Sequence, residues 1–196
     1  MRGQQAFLRY CALLASAVVT GCAVGSAPSA SPAARPVPAR AARPAPAVAE
    51  ITSDCGISKL RDSVLKQVNS ARAAARSCGA RHMAPAGPLI WNRALAEAAE
   101  QHSVDMVVRG YFDHASPEGK RVAQRVAAQG YKWRAVGENL AGGDTTVADV
   151  LAGWLGSPEH CQSMLSPAYV EIGVSCVRQL GSKWGNYWTM VLATRR

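Results

Sequence analysis

The chain has no apolar run long enough to cross a bilayer as a folded helix. Its candidate, Tyr10 to Thr20, spans 11 residues, against the roughly 20 that a hydrocarbon core requires. Compact metal-ligand spacing is also missing, because the four histidines are scattered singly. Ser157 lies three residues before His160, but nothing resembling a nucleophile elbow surrounds it. Acidic residues are few, 13 against 22 basic. No nucleic-acid-binding module is recognisable, so nucleic acid is not the expected counterpart of that positive charge. These absences weigh against a membrane-spanning protein, a local zinc motif, a serine hydrolase and a nucleic-acid binder.

The N-terminus supplies an address. Arg2 and Arg9 precede the short apolar stretch, and Val19-Thr20-Gly21-Cys22 resembles the lipobox of bacterial lipoproteins, an aliphatic residue and two small ones ahead of the lipidated cysteine. Residues 1–21 then read as a lipoprotein-type signal peptide, with the mature chain beginning at Cys22 and the membrane its partner through an N-terminal lipid. One acyl chain holds a protein marginally, whereas two or more hold it stably. A secretory signal cut near Ser26-Ala27 is the alternative, and either reading exports the protein to the periplasm or the cell exterior. From Cys22 to Glu50 the chain is rich in proline and alanine, with little to bury, which predicts an extended tether reaching about 3.1 Å per residue. Residues 51–196 remain for one domain. They carry 17 basic and 12 acidic residues, a net +5, which suits anionic headgroups or acidic envelope polymers.

Cysteine usage agrees with export. Cys11 falls in the signal and Cys22 at its end, leaving Cys55, Cys78, Cys161 and Cys176. An even number in an exported domain predicts two disulfides. Closeness in sequence favours Cys55–Cys78 and Cys161–Cys176 among the three possible pairings.

Periodicity then orders the domain. Leu60, Val64, Val68, Ala71 and Ala75 predict a helix over 58–76, with Gly79 as its cap. Residues 80–90, with Pro85, Gly87 and Pro88, read as a loop. Asn92 is placed to cap a second helix running to Arg109 and closed by Gly110. A shorter helix is expected over 120–129, and Thr146 with Asp149 has capping-box spacing ahead of a helix to Leu155. Strands are expected over 133–141, 169–178 and 187–193. Helices first and strands mostly later predict an α+β fold with a small antiparallel sheet. His102 reads as a packed, hydrogen-bonded core residue, His82 as solvated, and the five tryptophans as core and cleft wall. Gly137-Glu138-Asn139-Leu140-Ala141-Gly142-Gly143 sets a carboxylate and an amide in an apolar strand. The central expectation is that Glu138 meets His114 and His160 in one cleft.

Seven short motifs carry a resemblance in this order: Val68-Asn69-Ser70-Ala71-Arg72, Leu89-Ile90-Trp91-Asn92, His102-Ser103-Val104-Asp105-Met106, Tyr111-Phe112-Asp113-His114, Gly137-Glu138-Asn139-Leu140, Trp154-Leu155-Gly156-Ser157-Pro158-Glu159-His160 and Tyr187-Trp188-Thr189-Met190. Together they resemble the bacterial branch of the CAP superfamily, which groups cysteine-rich secretory proteins, antigen 5 and pathogenesis-related 1 proteins. The resemblance implies an α–β–α sandwich with a small central antiparallel sheet between helical layers. It also implies a cleft of two histidines and two glutamates, sometimes metal-loaded, onto which His114, Glu138 and His160 map. The second glutamate has no clean match, its place falling at or near Ser157.

Two imidazoles with a supporting carboxylate suit zinc or another divalent cation, His114 and His160 being the metal ligands and Glu138 their support. The other reading is a structural polar cluster that requires no cofactor. The expected function is a lipid-anchored binding module of the cell envelope whose ligand is a lipid, a sterol-like molecule or an envelope polymer. The alternative is a metal-dependent hydrolase in which Glu138 is the general base for a metal-activated water.

Overall fold

The computed structural model describes residues 50–196. The expected signal peptide, Cys22 and the tether before Glu50 lie outside the described residues. In chain order the elements are β1 (Ile51–Ser53), a 3-10 turn (Asp54–Gly56), α1 (Leu60–Arg72), β2 (Arg76–Cys78), β3 (Arg81–Met83), β4 (Ile90–Trp91), α2 (Arg93–Arg109), α3 (Val122–Ala128), β5 (Trp133–Gly142), α4 (Val147–Gly156), α5 (Pro158–Leu165), β6 (Glu171–Gln179) and β7 (Asn186–Arg195).

The sheet runs β1-β6-β7-β5 with antiparallel pairing throughout, and two-residue β4 adds in parallel to β6. Strand alternation sends Ile172, Val174, Cys176, Trp188, Met190 and Leu192 into one core, shared with Val64 and Val68 of α1, Leu151 and Trp154 of α4 and Met164 of α5. The opposite face presents Val191 and Ala193 to Leu95, Ala98 and Ala99 of α2 and Val126 of α3, while Val177 and Tyr187 meet Met106. The result is the expected sandwich, α1, α4 and α5 on one face and α2 and α3 on the other. β7 is buried along nearly its whole length because both its faces are covered.

Local chemistry explains the best-defined elements. Asn92 caps α2 by accepting from the Leu95 N–H at 3.3 Å, and Gly110 ends it at φ 68°. Thr146 caps α4 by accepting from the Asp149 N–H at 3.1 Å. α2 lies so close to the sheet that a Cβ at Gly173 would stand 2.1 Å from the Ala96 nitrogen. Only glycine fits there.

Four expectations are corrected. α1 stops at Arg72, because Arg76–Cys78 instead pair with Arg81–Met83 as a hairpin. The buried Arg72 side chain donates to the carbonyls of Gly87 (2.8 Å), Met164 (2.8 Å), Ser166 (2.9 Å) and Tyr169 (3.1 Å). Gly79, expected as a helix cap, instead makes the turn of the β2–β3 hairpin in what reads as a loop. A further helix, α5, follows with Ser157 at its N-cap and Pro158 in its first turn. The disulfides join Cys55 to Cys176 and Cys78 to Cys161, not the sequence neighbours. Thirteen-residue α1 carries Cys78 away from Cys55 by a helix length of about 20 Å. β1, paired with the end of β6 through Ser53 and Val177, holds Cys55 beside Cys176, while the β2–β3 hairpin packs on α5 and meets Cys161.

Candidate functional site

β5 is the edge strand on one side of the sheet. Glu138 pairs with Val191 and Asn139 with Met190, so these adjacent side chains leave on opposite faces, one toward α2 and α3 and the other toward α5. Gly137 precedes them for a steric reason, since a Cβ there would come within 2.5 Å of the Tyr169 hydroxyl. The conspicuous Gly-Glu-Asn run is thus a junction between the two helical layers at an open sheet edge.

On the α3 side, Glu138 is nearly inaccessible, with 2% of its side chain exposed, yet both its oxygens are engaged. Oε1 accepts from His114 Nδ1 at 2.8 Å, and Oε2 accepts from an Arg125 terminal nitrogen at 2.6 Å. Because a carboxylate only accepts, His114 carries its proton on Nδ1 here, which leaves Nε2 pointing away from Glu138. The His114 side chain is 48% exposed. Its hydrogen bond to Glu138 raises its pKa above the usual imidazole value, outweighing partial burial.

The backbone around His114 is held from both sides. Buried His102 donates through Nε2 to the Asp113 carbonyl at 2.9 Å, and Arg125 donates to the His114 carbonyl at 3.1 Å and the Lys120 carbonyl at 2.7 Å. His102 is therefore the packed, hydrogen-bonded core residue expected, and burial lowers its pKa. Arg125 is the member that sequence reasoning missed. The only available signal was a charged residue within the short apolar helix Val122–Ala128.

His160 comes from α5, on the other side of β5. Its backbone carbonyl accepts from the Asn139 side-chain nitrogen at 3.0 Å. Desolvation lowers the His160 pKa, and the neighbouring His114 charge lowers it further. The Asn139 side-chain oxygen and Arg125 Nε are buried without a hydrogen-bond partner. Glu138 and His114 are thus in direct contact, while His160 approaches from the far face as an electrostatic neighbour. Ser157 occupies the junction between α4 and α5, at the N-cap position of α5, and its side chain makes no cap hydrogen bond.

The donor chemistry fits a cation only in part. Among the described residues, no group of three or more His, Cys, Asp and Glu side chains is arranged to hold a metal ion. What is present is a carboxylate holding Nδ1–H of an imidazole whose other nitrogen is free, the pattern that commonly orients metal-ligating histidines. His114 Nε2 and a His160 nitrogen are the available donors, with Glu138 in an outer shell.

A sequence model described as "CAP: Cysteine-rich secretory protein family" matches residues 65–192. The chain is 34% identical over 97 residues to YkwD, an uncharacterized protein of Bacillus subtilis (strain 168), covering 50% of this chain and 37% of that one. A 31% match over 91 residues reaches YlbC of the same organism, an uncharacterized membrane protein, covering 46% of this chain and 26% of the relative. The chain thus spans between about a quarter and little more than a third of the length of these curated relatives. Among solved structures, an outer surface protein from Borrelia burgdorferi shares the fold at a TM-score of 0.56 and 15% identity, covering 70% of this chain and 90% of that one. An SCP-domain extracellular protein from Bacillus anthracis str. Ames is 26% identical over 57% of this chain and 35% of that one, at a TM-score of 0.49. With the family pattern running from α1 through β7 and a sandwich built around the edge-strand glutamate, the chain belongs to the CAP, or cysteine-rich secretory protein, family.

Proposed function

We propose that this CAP domain is the exported, lipid-anchored binding module of a cell-envelope protein, and that its cleft of His114, Glu138 and His160 takes a divalent cation such as zinc or the polar head of a lipid-like ligand. Localisation outside the cytoplasm agrees with four cysteines in two disulfides. Among the described residues no helix is long and apolar enough to cross a membrane. The attachment proposed is the lipid on Cys22, read from the lipobox-like Val19-Thr20-Gly21-Cys22.

One observation carries the choice of binding over hydrolysis. A general base must come within hydrogen-bond reach of the water it activates, and the Glu138 side chain is 2% exposed, with each oxygen already facing a cationic or imidazole donor. The half-exposed imidazole is the group left to meet a ligand. Two imidazoles also fall short of the three protein ligands usual in catalytic zinc sites.

Zinc titration by calorimetry on the oxidised protein tests this reading, comparing wild type with His114→Ala/His160→Ala. Stoichiometric binding lost in the double variant, with no turnover of ester or peptide substrates, is the expected result. Reproducible turnover abolished by the same pair would establish the hydrolase instead. Absence of zinc binding would leave the lipid-head reading, tested by mass spectrometry of lipids that co-purify with wild type and not with the double variant.

A further inference from the structure

The tip between β6 and β7 is unusual chemistry for a solvent-facing turn. Leu180 is 71% exposed and Trp184 is 38% exposed, the latter against Phe112 with ring centroids 5.3 Å apart. The Lys183 ammonium lies 5.1 Å from the Trp184 ring centroid. The five tryptophans were expected as core and cleft wall, and the exposure of Trp184 takes it out of the core. Lys183 is the only charged residue from Gln179 to Tyr187. The indole is fixed in place, since a Cβ at Gly142 would stand 3.0 Å from its Cγ, and the turn is braced by Ser182 donating to the Gln179 carbonyl at 2.7 Å.

Register shows what else lies at this end of the sheet. Ile51 pairs with Gln179, and Gly142 with Tyr187. The first residue of β1, and with it the N-terminal end of the described residues, therefore stands beside the tip. Ile51 is itself exposed.

We propose that the β6–β7 tip, through Leu180, Trp184 and Lys183, is a membrane-interface contact that seats this end of the domain on an anionic lipid surface. Tryptophan places an apolar body and a polar N–H at headgroup depth, and lysine keeps its ammonium in the headgroups while its stem lies along apolar surface. The tip projects as a turn, a shape that enters a bilayer interface, and its charge has the sign that anionic headgroups attract. The orientation rests on the proposed lipid at Cys22. The contact itself does not.

The test uses the full mature chain carrying Cys22→Ser, so that no acyl chain contributes. Vesicles of phosphatidylcholine and phosphatidylglycerol with brominated acyl chains are the probe. Cosedimentation and quenching of tryptophan fluorescence are expected. Leu180→Asp should lower partitioning on the order of tenfold or more, the equivalent of losing one buried leucine contact. Lys183→Glu, a second exposed change, should lower it on anionic vesicles. Ile90→Asp, at a 68% exposed residue on the opposite end of the sheet, should leave it unchanged. No cosedimentation of the parent chain, or an equal loss with Ile90→Asp, overturns the proposal. Quenching that survives Trp184→Phe does so too. Metabolic lipid labelling of the native chain at Cys22 reads the anchor separately, so failure of the anchor and failure of the tip are distinguishable.

Discussion

Replacing Arg125 tests whether the Glu138 cluster is built as described. Its guanidinium is 8% exposed, and its partner Glu138 is 2% exposed. Arg125→Met removes the 2.6 Å contact to Oε2 and two carbonyl contacts, leaving a buried carboxylate with His114 as its sole partner. Breaking one side of a buried ion pair costs about 3–5 kcal/mol. For a domain of this size that lowers Tm by roughly 10 °C. Glu138→Gln in the same background removes the stranded charge, so the double variant should be less destabilised than the sum of the singles by about 2 kcal/mol or more. Urea unfolding of all four proteins reads the cycle directly. A cost below about 1 kcal/mol for Arg125→Met, the worth of an exposed pair, would refute the buried-pair account, as would simple additivity.

Two further outcomes are expected. In NMR titration, His114 should titrate above the ordinary imidazole value near ~6.5 and His160 below it, and Glu138→Gln should bring His114 down. By linkage, the stability that His114 contributes is fully present below pH ~6.5 and lost as pH rises through its raised folded value, whereas His102 and His160 destabilise as pH falls from ~6.5 through their lowered ones. Non-reducing peptide mapping should recover Cys55 with Cys176 and Cys78 with Cys161. Cys78→Ala/Cys161→Ala should cost about 4 kcal/mol in the chain-entropy account, and a recovered Cys55–Cys78 peptide would overturn the topology.

How much of this was legible in the sequence follows the range of the forces involved. Caps and periodic stripes act within a turn or two, so Asn92, Gly110 and Thr146 located α2 and α4 closely. The three long strands stood out because their apolar or β-branched residues face buried layers. β1 and the β2–β3 hairpin were not legible, each strand being three residues whose pairing comes from distant partners. α5 is only eight residues long and starts directly after α4, so its periodicity merges with its neighbour's. Disulfide pairing failed for the same reason of range, with separations of 121 and 83 residues. At the candidate site, the motif run pointed to His114 and Glu138, which do meet. Arg125 carried one local mark, a charge in a short apolar helix, which says nothing of its partner 13 residues away across the layer.

The Cys55–Cys176 bond has a mechanical consequence. Any pull transmitted along the N-terminal segment reaches a covalent link five residues after Glu50, and that link delivers it to β6. Beyond β1, the load therefore enters the sheet through β6 and bypasses α1, which would otherwise be the next element pulled away. Tension applied at the N-terminal end of the domain would thus leave α1 packed on the sheet until β6 itself gives way.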